Sequence, residues 1–507
     1  MLLFKLKIYC MKMKIFLGKK SLIGLCLLVL FSAESGCKKQ LDINQNPNLP
    51  TLDQGNPSLV FPVAVLATAG KAGGDLAIIG GMWSQYFTQS SLANQYTLID
   101  SYNLPATNSY VNSSYSTMFT NGLKNYQYVI DKSKASGDWN FFLMGTVMKA
   151  YTTEILVDLY DQIPYFNALQ GANDLNPKFD DGYAIYQDLL SSIDTALSKD
   201  FTASTNSVPG AQDLVFNGNI NQWKAFANTL ELKMYLRMIN AHSDVAKAGI
   251  TALYNRAAAF LNVDASVANF TNAPGLDNPF FEQNQRQLNT TTNIKASTTF
   301  VSWLEANNDP RIVYYFGLAS PSSINQGDYT NNTPTYQSAP VFKQTPTDPV
   351  EFISLPESYF LQAEADIRYF GGLNAKSLYD QGVLAAFSQL GIDGSSLIAS
   401  GGPYAYPAAG TDNQKIEAII VQKWASCAYG CHGIEAYFEK NRTGYPVSSP
   451  VYSTDISYIP GQLVIAKNSV LPPGQIPKRF VFPYNETSRN TNAPAPVVSS
   501  TKVWWGL

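Results

Sequence analysis

Apolar residues recur at helical spacing in many separate stretches of this chain, and long polar stretches divide them. Met144, Val147, Met148, Tyr151, Ile155 and Leu159 fall on one stripe, and Trp223, Phe226, Leu230, Met234 and Met238 on another. Side chains three and four positions apart meet on one face of an α-helix, so each stripe predicts a helix with a buried face. Ile416, Ile419, Ile420, Trp424 and Cys427 predict a third. Ser354 and Glu357 have capping-box spacing ahead of Phe360, Ala363 and Ile367. After Gly371-Gly372 come Leu378, Tyr379, Gly382, Val383, Ala386 and Phe387. Residues 354–370 and 373–390 thus read as a helix pair, with Ala363, Gly382 and Ala386 small enough for close approach. Such a pair is one unit of a helical-repeat scaffold. No clean period recurs, so the repeats are degenerate and the fold class is mainly α.

The polar stretches at 200–219, 262–295, 318–350, 391–411 and 443–507 are too long for plain connections. They read as large irregular insertions carried by the helical frame, and segments of this kind tend to hold function. No internal linker interrupts them, so residues 58–507 read as one composite domain.

The start of the chain reads as an address. Residues 1–20 carry Lys5, Lys7, Lys12, Lys14, Lys19 and Lys20 without an acid, Leu22 to Phe31 is nearly all apolar, and Ser35-Gly36-Cys37 follows. That order predicts a secretory signal over 1–36, with lipidation at Cys37. Glu34 stands where such a signal normally has an apolar residue, which leaves open an ordinary signal peptide with an incidental cysteine. Residues 37–57, with their Asn-Pro-rich run from Asp42, predict an extended strap. No later stretch is apolar for the ~18 residues a membrane helix needs, so the expected membrane attachment is the lipid.

Composition narrows the partners. Only 14% of residues are charged, the net charge is −3, and there are 30 Tyr against 2 His. A surface of amides, hydroxyls and Tyr suits neutral ligands, because it hydrogen-bonds and stacks without desolvating ions. The plainer alternative is a low-charge surface with no ligand. Without a basic stripe, nucleic acid is not an expected partner. G-x-S-x-G, H-E-x-x-H and P-loop motifs are missing from the sequence, so the expectation is a binding protein with no cofactor and no metal.

Several residues carry candidate chemistry. Glu154, Asp158 and Asp161 lie on or near one helical face, and two of them could act as a hydrolytic pair if they lined a cleft. A hydrogen-bonding cluster fixing the Pro164 turn is the plainer reading. Glu364 shares a stripe with Phe360 and Ile367 and is expected to be buried against a cation. Cys427-x-x-x-Cys431-His432 is one residue longer than a haem-attachment motif and too poor in ligands for zinc. A disulfide, which would need Gly430 to break the helix, and two free thiols both remain open. His242 reads as a surface residue. Candidate ligand contacts are Trp83, Tyr86, Gln89, Asn94, Gln95, Tyr96 and Tyr102, with Phe281, Asn284 and Gln287 in a later insertion. Sugar rings stack on aromatic faces, and sugar hydroxyls bond to amides; the alternative for each residue is a place in the core.

The chain also resembles the SusD/RagB family. The segments that carry the likeness run in the family's order. They are Leu41–Asn48, Gly81–Tyr86, Asp158–Tyr165 (with Asp161-Gln162 where Gly-Asp is usual), Trp223–Leu230, Asp309-Pro310-Arg311 and Leu361–Ala365. Gln422-Lys423-Trp424, Gly433–Phe438, Arg442–Pro446 and Lys478–Pro483 with Glu486 and Asn490 complete them. The resemblance implies a tetratricopeptide-like scaffold and a lipid-anchored outer-membrane protein, expected on the cell surface. It further implies capture of glycans or other oligomers for a TonB-dependent transporter of the SusC type. A surface glycoside hydrolase and an adhesive protein are the alternatives.

Overall fold

The structure is a computed structural model, and it describes residues 55–206 and 208–507. The signal at 1–36, the lipidation site Cys37 and the strap as far as residue 54 lie outside the described residues. Asn56 to Leu507 form one compact unit. The strap gives way to helix one residue earlier than its sequence boundary at residue 57. Asn56 caps the first helix by accepting from Ser58 N, and Pro57 takes its first turn, where a missing N–H costs nothing.

The helical frame is α1 (Pro57–Ala72), α2 (Asp75–Trp83), α3 (Lys124–Ser136), α4 (Trp139–Tyr160), α5 (Gly182–Leu197), α6 (Ile220–Arg237), α7 (Ser243–Asn255), α8 (Leu355–Tyr369), α9 (Ala375–Ser388), α10 (Asp412–Ser426) and α11 (Gly433–Thr443). Sequence-adjacent helices pack as pairs: α3 on α4, α6 on α7, α8 on α9. Small residues set the closest approaches. A Cβ on Gly382 would stand 2.6 Å from the Phe360 ring, which fixes the α8–α9 spacing. Where α2 meets α11, a Cβ on Gly80 would lie 2.2 Å from Ile434 N. Helix α4, predicted with one buried stripe, is buried on nearly every face along its 22 residues, because α1, α3, α5 and α6 surround it.

The Ser354 cap is half of the expected capping box. Glu357 N donates to Ser354 Oγ at 3.1 Å, but the Glu357 carboxylate turns to Lys423 and His432 instead. Helix α10 carries a complete box, formed by Thr411 and Gln414.

Between the pairs lie the irregular insertions, stitched by three two-stranded antiparallel ladders. They are β1 (Phe87–Gln89) with β5 (Ile294–Ala296), β2 (Gln162–Pro164) with β3 (Phe179–Asp181), and β4 (Ala265–Val267) with β6 (Val350–Ile353).

A buried ionic cluster ties five helices together. Glu154 and Asp158 come from α4, Lys233 and Arg237 from α6, Glu357 and Glu364 from α8, Lys423 from α10, and Glu435, Glu439 and Arg442 from α11. The i,i+4 pairs 154/158, 233/237 and 435/439 each present two like charges on one helical face. Arg237 reaches Asp158 at 3.0 Å, Glu435 at 2.7 Å and Glu439 at 2.6 Å. Burial pushes Glu364 up, yet Arg442 and Arg368 overcome it and hold the carboxyl below its usual range; the expected cation partner is therefore Arg442, at 2.6 Å.

Candidate ligand-binding site

The β1–β5 ladder brings together two loops that are far apart in sequence. Gln89 pairs with Ile294, and Ser90 N donates to Asn293 O at 2.9 Å, so residues 90–96 and 284–293 leave the same end of the ladder. They remain in contact beyond it. Gln95 N donates to Asn293 Oδ1 at 3.4 Å, and Ser90 Oγ donates to Thr292 O. Gln89 braces the first loop from below: its Nε2 donates to Ser90 O and Ala93 O, and its Oε1 accepts from Tyr96 N at 2.8 Å. Under the ladder, Asp100 accepts from Thr88 Oγ1 at 2.7 Å, Gln89 N at 3.1 Å and Gln326 Nε2 at 2.6 Å. Burial pushes Asp100 up to about 7 despite those bonds.

This frame sorts the predicted contacts. Asn94, Gln95 and Gln287 are exposed on the two loops, and Phe281 is half-buried with the Arg286 guanidinium 5.4 Å from its ring. The other six are corrected to core residues. Trp83 donates to Ile99 O at 3.0 Å and packs edge-on to Phe480 and Tyr102. Tyr86 donates to Trp424 O at 2.5 Å, and Gln89 is the brace just described. Tyr96 and Tyr102 are buried, and Asn284 donates to Gln344 Oε1 at 3.3 Å. Their rings and amides were consumed by packing and by main-chain groups needing partners. Sequence reasoning missed Tyr110, whose hydroxyl accepts from Gln95 Nε2 at 2.9 Å and whose ring meets Tyr96. Its signal is local: Asn108 caps the helix Ser109–Thr117 and fixes Tyr110 in its first turn.

The face built this way carries no charge from residue 87 to 99 or from 287 to 294. A different surface runs from α3, α4 and α5 to the 164–177 and 485–490 segments, where adjoining hollows of 250, 380 and 330 Å³ share Gln127, Lys149, Phe119 and Leu169 as walls. Charged groups line it. Lys149 donates to Gln127 Oε1 at 2.7 Å, and Tyr165 donates to Asp188 at 2.6 Å.

The acids that raised hydrolysis are not in any of these hollows. Glu154 and Asp158 are 0% and 1% exposed, sealed by Lys233 and Arg237. Burial pushes Glu154 up to about 8, against the pull of Lys233. Asp161 instead binds the C-terminal segment, accepting from Trp504 N at 2.6 Å. Nor do the cysteines bond to each other: both thiols are free. The helix ends before Gly430: Cys427 closes α10 inside the core, Gly430 follows in the turn at φ 65°, and Cys431, at φ 61°, turns its sulfur to Asn278 at 3.3 Å. His242 is half-buried, its ring stacked 3.5 Å from Tyr183.

Residues 64–464 match the profile of a family described as SusD-like, starch-binding and associating with the outer membrane. The chain belongs to the SusD-like family. That family consists of binding proteins rather than enzymes. The SusD-like chain matches no curated protein by sequence. Among solved structures it is similar to a chitin-binding protein, with TM-score 0.71 and 22% identity over 89% of this chain and 100% of that one. It is also similar to a chitin-binding SusD homolog from Flavobacterium johnsoniae, with TM-score 0.69 and 20% identity over 88% and 98%. A SusD homolog from Bacteroides uniformis gives TM-score 0.70 and 20% identity over 89% and 100%. These likenesses establish the mainly helical SusD-like fold.

Proposed function

We propose that this protein, lipid-anchored at Cys37 on the outer face of the outer membrane, captures neutral oligosaccharides on the face formed by residues 90–96 and 284–293. It passes them to a TonB-dependent barrel of the SusC type. The observation that carries the reading is the convergence of two amide- and hydroxyl-rich loops, with Arg286 their one charge, on one braced ladder. Such a face gives donors and acceptors to sugar hydroxyls, and its one ion is already paired with Asp277. Tyr110 supplies an aromatic edge beside them. The family's starch-binding description and the chitin-binding names of two structural relatives both concern neutral glycans. The charged hollows along α3–α5 suit that chemistry less well. A lipid-anchored binder cannot itself move a ligand through the membrane, so a channel partner is required.

The test titrates full-length protein with maltooligosaccharides and chitooligosaccharides. Asn94→Ala/Gln95→Ala/Gln287→Ala should weaken the bound series by about tenfold or more, since two or three lost hydrogen bonds are worth ~1 kcal/mol each, with the melting temperature unchanged. Equal affinity in the triple variant moves the site elsewhere. Extraction in mild detergent should recover one barrel protein in stoichiometric amount, and recovery of the lipoprotein alone counts against the transporter.

A further inference from the structure

A hollow of about 390 Å³ lies where α11 ends and the 474–478 and 500–507 segments close over it. Two lysines line it. Lys440, only 6% exposed, donates from Nζ to Gly444 O at 2.7 Å and Pro446 O at 2.5 Å. Those carbonyls end the helix, and a lysine in the last turn meets them naturally. They account for two of its three hydrogens; among the described residues the third has no acceptor. Lys478, half-buried on the facing segment, has no hydrogen-bond or carboxylate partner for its amine among the described residues. Its charge bears on Lys440, whose amine is pushed down to about 7, first by burial and then by Lys478. Two amines thus face one cavity with no carboxylate in salt-bridge reach of either among the described residues, an arrangement that costs stability when both are charged unless something negative enters.

We propose that this hollow binds a small organic carboxylate, such as the acid group of a uronic-acid sugar, between the amines of Lys440 and Lys478. The space decides against a bare inorganic ion, which would leave most of it to water. Ser448, Ser500 and Gln475 line the same cavity and can meet hydroxyls next to the carboxylate. The site is separate from the 90–96 and 284–293 loop face, so one can fail without the other.

Full-length protein is titrated calorimetrically with galacturonate, acetate and galactose at about pH 6 and about pH 8.5, either side of the Lys440 titration. Galacturonate should bind at pH 6, about tenfold or more weaker at pH 8.5 and in Lys478→Gln, because each change removes one facing charge. Galactose should not bind, and Asn94→Ala/Gln95→Ala/Gln287→Ala should leave the affinity unchanged. As a readout that needs no variant, the ε-carbon resonance of Lys440 should titrate near neutrality in the free protein and at higher pH with galacturonate bound. Acetate binding as tightly as galacturonate assigns the site to free carboxylates rather than to acidic sugars. No binding of either acid, galactose binding equal to galacturonate, or affinity unchanged by Lys478→Gln overturns the proposal.

Discussion

Replacing Arg237 by Met tests whether the ionic cluster holds the helical frame together. The guanidinium is fully buried and contacts three carboxylates, from α4 and α11, at 3.0, 2.7 and 2.6 Å. Methionine fills a similar stem but leaves Asp158 without a cation and Glu435 and Glu439 short of one. Removing one partner from a buried pair costs about 3–5 kcal/mol, mostly because the remaining charge stays unpaired in a low-dielectric interior. Unfolding entropy is roughly 2.1 cal/mol/K per residue, so a domain of about 450 residues has ~0.95 kcal/mol/K and the melting temperature should fall by about 3–5 °C. Differential scanning fluorimetry at neutral pH reads this directly. Arg368→Ala is the control: Arg368 is 27% exposed, and Glu364 keeps Arg442. Its loss should cost under ~1 kcal/mol, a shift of about 1 °C or less. If Arg237→Met melts within 1 °C of the wild type, to the same order as the control, the cluster does not anchor the frame.

Two further outcomes follow from the same interior. Burial raises Glu154 to about 8, above its unfolded value, so its contribution to stability is greatest below the unfolded pKa and is lost as pH climbs through about 8. Glu154→Gln mimics the protonated form; it should gain relative to wild type as pH rises from about 4.5 and stop gaining above about pH 8, and a variant that loses ground on raising the pH refutes the assignment. Thiol titration of the folded domain should find Cys427 unreactive, since burial pushes its thiol well up, and after denaturation without reductant both Cys427 and Cys431 should react; failure of the pair to react would mean they had bonded.

The frame was legible because helices advertise themselves by spacing. The α8–α9 pair follows from the 360/363/367 and 379/383/386 stripes, and Gly382 marks its contact. Glu364 was readable as buried because it shares a face with Phe360. The candidate face was only half legible. Asn94, Gln95 and Gln287 are exposed on its loops, but Trp83, Tyr86 and Tyr96 look the same in sequence as ligand aromatics while serving as core. Nothing local distinguishes a Tyr whose hydroxyl meets a main-chain carbonyl 338 positions away from one that meets a sugar. The disulfide was undecidable for a similar reason: the helix does end before Cys431, and only the partner Asn278, 153 positions distant from Cys431, decides where that sulfur points.

The β1–β5 ladder also dictates when the proposed binding face can first form. Gln95 and Asn293 meet across 198 positions, and Ser90 and Thr292 across 202. Contacts of that span close late, after the intervening helices have condensed, because the chain entropy of a long loop must be overcome before the contact is rewarded. A chain folded only through its first two hundred residues carries Asn94 and Gln95, braced by Gln89 and Tyr110, but lacks the Thr292 and Asn293 contacts that join the second loop to them. The topology itself thereby times the proposed site: the face is complete only when its two distant halves have found each other.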